Sequence, residues 1–224
     1  QEDVAVQEAD DNDPLEGLNR VFFEINDALD TVLLRPIAWV YREVVPEFAR
    51  NGVRNALDNL DSPVIFANDL LQGEFDRAGE TMARFMINST VGVGGFIDVA
   101  DDMGVPKHSE DFGQTLAVWG LGEGPYLYLP LLGPTNPRDL AGRAVDIGMD
   151  PLTYVDWEDQ DAEWAPYTRL GLNVLDLRAR NIDTLDNLKE TSVDYYAAIR
   201  SAYRQLREDA VRNGEPAEDL PEIE

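Results

Sequence analysis

Carboxylates dominate the groups in this sequence that could do chemistry. Asp and Glu number 44 in a chain of 224 residues, against 18 Lys and Arg, one His and no Cys. Glycoside hydrolysis uses two carboxylates about 5–9 Å apart across a cleft, and no spacing here singles out such a pair. His108 is the sole histidine, so a histidine metal site or a Ser–His–Asp triad is poorly supplied, and His108 reads as a solvated loop residue. Asp98, Asp101 and Asp102 lack the Gly and Glu positions of a calcium loop. Gly92-Val93-Gly94-Gly95 is followed by no Lys-Ser/Thr, as a phosphate-cradling loop requires. The expectation is a protein without metal, cofactor or catalytic residues.

The formal net charge of −26 argues against nucleic-acid binding, which needs a basic footprint, and against electrostatic docking on anionic lipid headgroups. A saline habitat would account for it. The basic residues are nearly all arginine, whose planar fork suits phosphate and carboxylate; Lys107 and Lys189 are the exceptions. Without cysteine there is no disulfide framework. The chain opens on Gln1 with no secretory leader in view, so it reads as a mature chain whose targeting information lay upstream. Hydrophobic residues make up 44%, as in globular proteins, yet no run of about 18 apolar residues suggests a membrane-spanning helix.

Several helices must position these groups. Residues 1–12 read as an acidic disordered tether and 213–224 as an acidic disordered tail, flanking one domain over 13–212. Asp13-Pro14 predicts a helix start with Asp as cap. Leu15, Leu18, Phe22, Ile25, Leu29 and Val32 then form one stripe, widened by Phe23, Leu33 and Leu34. This face suits a core, lipid or a partner. Arg35-Pro36 is expected to break the helix. Trp39 and Tyr41, flanked by Arg35 and Arg42, suit a water–membrane boundary and equally a core edge. Short helices are expected over 50–59, from Asp61-Ser62-Pro63 to Leu71, and over 74–88 with Phe75, Ala78, Met82, Phe85 and Met86 inward. Thr115–Trp119 and Tyr126–Leu129 look like two strands joined through Gly120–Pro125, a hairpin signal. A further helix is expected over 138–148. A long helix over 167–190 and a second ending near Arg212 form a C-terminal pair. The fold class is all-α, with short amphipathic helices and a glycine-rich hairpin.

Arg84–Ala100 changes character midway. Gly92, Gly94 and Gly95 interrupt the apolar run of Val91, Val93, Phe96, Ile97 and Val99. Each glycine costs a helix about 1 kcal/mol relative to alanine. A chain tolerates that where the backbone must bend, adopt positive φ, or admit a close neighbour. Both a buried loop and an apolar docking surface fit.

The ordered motifs resemble the outer-membrane lipoproteins of the MlaA, or VacJ, family. The likeness begins at Asp13-Pro14-Leu15-Glu16-Gly17-Leu18-Asn19-Arg20 and continues at Arg35-Pro36, Ala49-Arg50-Asn51-Gly52 and Leu71-Gln72-Gly73. It runs on through Gly92–Ala100, Phe112–Leu116, Gly122–Tyr126, Leu129-Pro130 and Gly133-Pro134. The C-terminal Val193-Asp194-Tyr195-Tyr196 departs from the family's Asp-Pro-Tyr, and the lipidated cysteine of the family would have to lie upstream of Gln1.

The resemblance implies a ring-like helical protein in the inner part of the outer membrane, facing the periplasm and anchored by lipid. It implies an amphipathic channel, association with a trimeric porin, and passage of misplaced outer-leaflet phospholipid to the periplasmic carrier MlaC. On that basis Val91, Gly92, Val93, Gly94, Gly95, Phe96 and Ile97 are expected to form a channel wall. Gly120, Gly122, Gly124, Pro125 and Tyr126 are expected to form a hairpin flap, and Phe22, Phe23, Leu33, Leu34, Trp39 and Tyr41 a membrane face. Arg20, Arg84 and Arg143 are candidate phosphate contacts. A soluble helical periplasmic scaffold or binding protein is the alternative, and a carboxylate hydrolase a remote one.

Overall fold

The computed structural model describes residues 12–158 and 161–215. The expected tail lies outside these except at Asn213–Glu215, and the expected tether except at Asn12. The elements are α1 (Glu16–Leu29), a π-helical turn (Asp30–Leu34), α2 (Arg35–Val44), α3 (Glu47–Gln72), α4 (Phe75–Thr90), α5 (Val99–Asp102), α6 (Phe112–Val118), β1 (Leu127–Leu129), β2 (Gly133–Thr135), α7 (Pro137–Met149), a 3-10 turn (Pro151–Tyr154), α8 (Ala165–Arg180), α9 (Ile182–Thr191) and α10 (Tyr195–Val211). The all-α expectation holds. Among the described residues no helix is long and apolar enough to cross a membrane.

Two predicted breaks do not occur. Arg35-Pro36 lies on a continuous helical path, because the preceding turn is π-wound and the Arg35 N–H reaches back five residues to the Asp30 carbonyl. A wide turn of this kind accommodates the proline ring. Pro63 lies inside α3, which runs 26 residues without interruption. A proline in a helix interior costs about 3 kcal/mol; α3 packs against α4, α6, α7 and α8, and that packing outweighs the lost bond.

Three further expectations change. Thr115–Trp119 is helical, not a strand: Asp111 caps α6 through the Gln114 N–H at 2.9 Å. The antiparallel hairpin pairs Leu127 with Thr135 and Leu129 with Gly133, so its turn lies at Pro130–Leu132 and not at Gly120–Pro125. The C-terminal pair is a trio, because the predicted long helix is divided at Asn181 into α8 and α9.

The opening motif closes the fold. Asp13 does not cap α1. Its buried carboxylate takes hydrogen bonds from Asn19 at 2.7 Å and from Tyr196, and pairs with Arg200 at 2.9 Å. Asn19 also donates to the Tyr126 carbonyl at 3.1 Å and accepts from the Tyr128 N–H at 2.9 Å. Arg20 grips Asp194 with both guanidinium nitrogens, at 3.1 and 2.6 Å, and lies over the Tyr196 ring. That grip pulls the Asp194 carboxyl down to about 2. The first helix, the hairpin and α10 are thereby joined around a cluster of Tyr126, Tyr128 and Tyr196, with Phe22 and Phe23 packed against it.

The glycine stretch after α4 is a compact turn. A Cβ at Gly92 would lie 2.2 Å from the Ile97 carbonyl oxygen, and one at Gly95 would lie 2.6 Å from Asn59 Cβ. Both glycines serve close packing; Gly95 also needs its φ of +92°. Gly92→Ala is therefore expected to lower stability by about 1–3 kcal/mol, the range for overpacking. Gly79→Ala, in α4 with open space at its Cβ, should raise it by about 0.5–1 kcal/mol. Thermal unfolding of both variants checks the opposite signs.

Candidate functional site

The interior is polar and the exterior apolar. Among the described residues nine hydrophobic and eighteen polar or charged residues are buried, while Val32, Phe48, Phe75, Val91, Val93, Leu131 and many other large hydrophobics are exposed. A water-soluble protein places its large hydrophobics the other way round and keeps exposed apolar patches small. The cause lies in the helix stripes. In α3, Asn55, Asp58, Asn59 and Ser62 recur at spacings of three and four, and in α4 Thr81, Arg84 and Asn88 do the same. These polar stripes face each other.

Between them lies a cavity of about 340 Å³, closed on its other sides by Asp98, the Lys107–Glu110 loop, Asp146 and Ile147 of α7, Asp150, and Arg169 of α8. That volume is at the lower end of the range for small-molecule sites. Six carboxylates line it (Asp58, Asp61, Asp98, Glu110, Asp146 and Asp150) against three cations (Arg84, Lys107 and Arg169) and His108.

Almost every charge is matched. Arg84 pairs with Asp98 at 2.6 Å, and Asn88 adds a bond to the same carboxylate at 2.8 Å. Burial alone would raise Asp98, yet these partners hold it below the usual range. Lys107 meets Asp58 at 2.5 Å. Arg169 bridges Asp61, at 2.5 Å, and Asp150; burial nevertheless raises Asp61. Arg77 meets Glu110 at 2.5 Å, with Gln72 donating to its other oxygen at 2.9 Å; burial raises Glu110 as well. Fully buried Asp69 accepts from Thr81 at 2.7 Å and lies 3.1 Å from His108 Nε2. His108 is thus drawn inward, contrary to its solvated reading, because a buried carboxylate needs donors.

Asp146 is the exception. It accepts from Asn68 at 3.0 Å and from the Phe112 N–H at 3.0 Å, and among the described residues no cation forms an ion pair with it. Desolvation raises its carboxyl. Asn68 in turn accepts from Thr115 at 2.8 Å. The result is a wettable chamber rich in hydrogen-bonding groups. Its carboxylates are tied to cations or amides.

The predicted site residues fall around this chamber more than within it. Of the three candidate arginines, Arg84 lines the cavity; Arg20 is engaged with Glu16 and Asp194, and Arg143 is exposed on α7. None of Val91–Ile97 lines it, although Asn88 and Asp98 on either side do. Gly92 and Gly95 are buried in the turn, Gly94 is exposed, and Val91, Val93, Phe96 and Ile97 are at least partly outward-facing. The stretch is an apolar ledge beside the cavity; Gly92 and Gly95 are held in the packing of the turn, while Gly94 meets open space.

Gly120, Gly122, Gly124 and Pro125 belong to the α6–β1 connection, not to the hairpin. Gly124 packs near Pro137 and its carbonyl accepts from Asn12 at 2.7 Å. Tyr126 is 3% exposed. This segment is therefore tied at its end, unlike a flap. Of the expected membrane face, Leu33 and Trp39 are exposed and Leu34 is partly so. Phe22 and Phe23 pack inward, Phe23 edge-on to Tyr128, Tyr195 and Tyr196. Tyr41 packs on Ala38, Ala179 and Ile182. Met82 and Met86 are also outward rather than core residues.

Comparison with known proteins agrees with this architecture. The profile of a family described as MlaA lipoprotein matches residues 11–210. The chain is 38% identical over 208 residues to the intermembrane phospholipid transport system lipoprotein MlaA of Escherichia coli K12, covering 91% of this chain and 79% of that one. It is 34% identical to the corresponding Haemophilus influenzae protein, over 96% and 87% of the two chains. A solved structure from work on the structural basis for maintenance of bacterial outer membrane lipid asymmetry has a TM-score of 0.79 and 34% identity. It covers 89% of this chain and 98% of the other.

The unpaired carboxylate gives a signed pH test. A carboxyl raised by burial binds its proton more tightly in the folded state, so its contribution to stability falls as pH rises through the ordinary carboxylate value toward the raised one. Asp146→Asn keeps an oxygen for the Phe112 N–H and removes the charge. Its melting temperature should exceed that of the parent at pH 8, with the gap narrowing as pH falls through the carboxylate range.

Proposed function

The chain belongs to the MlaA lipoprotein family, and from that premise we propose that it is a non-enzymatic conduit for phospholipid at the outer membrane. The single observation that carries the reading is the inverted distribution of side chains: a polar chamber inside an apolar coat. A phospholipid offers a charged headgroup and two hydrocarbon chains, and burying the headgroup in hydrocarbon without partners is prohibitive. The chamber supplies partners, through Arg84, Lys107 and Arg169 for phosphate and the carboxylate excess for an ammonium.

The exposed stripe along α1, the π turn and α2 (Val32, Leu33, Ile37, Trp39 and Val40) suits acyl chains. Short helices with such faces seat in one leaflet without spanning it. The ledge of Val91, Val93, Phe96 and Ile97 is a further exposed apolar surface and would meet chains beside the cavity. In this account the protein sits in the inner part of the outer membrane beside a trimeric porin. It removes phospholipid mislocalised to the outer leaflet and delivers it to the periplasmic carrier MlaC, preserving lipid asymmetry. A lipid anchor upstream of Gln1 would hold it there.

Ile65 lies on α3 and lines the cavity. Ile65→Trp should narrow the chamber and slow phospholipid transfer from donor vesicles carrying the protein to an acceptor carrier by about tenfold, a barrier raised by about 1.4 kcal/mol. Circular dichroism should be unchanged. Unaltered transfer at full helicity would remove the cavity from the route.

A further inference from the structure

The chamber is too small for a whole phospholipid. Its volume of about 340 Å³ and its polar lining suit a headgroup, so the chains of a lipid whose headgroup is inside must lie elsewhere. A second cavity, of about 600 Å³, adjoins it beneath the 3-10 turn. Leu60, Leu152, Trp157, Ala165 and Leu170 give it an apolar lining, and Asp150 and Arg169 belong to both cavities.

Arg169 stands at the seam. Its guanidinium bridges Asp61, from α3, and Asp150, at the end of α7, and its side chain, a charged head on an aliphatic stem, lines both the chamber and the groove. We propose that the groove is an acyl-chain subsite, occupied by the chain of a phospholipid whose phosphate is held by Arg169. This rests on the conduit reading and assigns a place within it where chain and headgroup part.

The occupant follows from the join between the two cavities. A free anion would leave the apolar groove empty, and a hydrocarbon without phosphate would leave the cation unused. Phosphate reaches Arg169 by replacing Asp61, and Asp150 remains. Asp61 is the carboxylate given up at least cost, because its side chain is 43% exposed, against 15% for Asp150, so water can take the place of the guanidinium. Arginine can bind two phosphate oxygens at once through its planar fork. Removing the phosphate or the guanidinium should therefore weaken chain binding in the groove.

Trp157 reports on the groove directly. In the full chain with Trp39→Phe, Trp119→Phe and Trp164→Phe, Trp157 is the remaining tryptophan. Bromine on an acyl chain quenches indole emission on contact. The expected result is loss of Trp157 emission with brominated-chain phosphatidylethanolamine at about tenfold lower concentration than with brominated diacylglycerol, a preference of about 1.4 kcal/mol. Arg169→Gln should abolish that preference, and Ala165→Phe, which fills the groove, should abolish the quenching. Equal quenching by both lipids, or quenching that survives Ala165→Phe at retained helicity, overturns the subsite. If phospholipid transfer to a carrier persists while Trp157 stays unquenched, the subsite fails and the conduit stands. If the protein neither binds nor transfers phospholipid, both fail.

Discussion

A charge cannot stay in a protein interior without a partner, and this fold depends on that constraint. Its centre is not a packed hydrocarbon core but a lattice of matched charges and amides: Arg84 with Asp98, Lys107 with Asp58, Arg77 with Glu110, Arg169 with Asp61 and Asp150. Removing Arg77 would leave Glu110 buried and uncompensated, and removing Asp98 would do the same to Arg84, at a cost of about 3–5 kcal/mol; the Lys107–Asp58 pair is exposed and contributes little. Such pairs are weak contributors to net stability. They fix which helices face each other and hold a chamber open that an apolar interior would collapse.

The outer shell follows from the inner one. Helices that turn polar stripes inward show much of their apolar surface outward, alongside exposed charges such as Glu24, Glu43 and Asp76. In water that arrangement would be costly at about 25 cal/mol per Å² of apolar area; against hydrocarbon it is not. The polar clasp of Asp13, Asn19 and Arg20 with Tyr196, Arg200 and Asp194 serves the same economy. It ties the first helix to the last around the aromatic cluster of Tyr126, Tyr128 and Tyr196. The two prolines inside helical paths fit as well, since tertiary contacts and a π-wound turn hold the backbone where local propensity would break it.

Legibility in the sequence follows the same physics. The helices were readable because apolar periodicity marks a helix whichever side is buried. That periodicity cannot tell core from lipid, so Leu18, Val32 and Met86 did not reveal that they face outward, nor Phe23 and Tyr41 that they face inward. The glycine stretch announced close packing, which Gly92 and Gly95 bear out, but gave no sign of lying beside the cavity. The chamber was present as polar stripes: Asn55, Asp58, Asn59 and Ser62 in one helix and Thr81, Arg84 and Asn88 in the next. Searching for polar faces at helical spacing finds them; searching for apolar ones passes over them. The capping of α6 was also local, with Asp111 accepting from the Gln114 N–H three residues on, a cap that the β-favouring residues nearby obscured. Long-range pairings such as Arg169 with Asp61, 108 residues apart, had no local signature.

The central claim is that phospholipid headgroups enter the polar chamber. The most direct measurement places a photo-crosslinking amino acid at Ile65, inside the cavity, and separately at Glu208 on α10, and irradiates each protein in phospholipid vesicles. Covalent phospholipid at position 65 and none at 208, read by mass spectrometry, is the predicted result. No adduct at position 65 would contradict it.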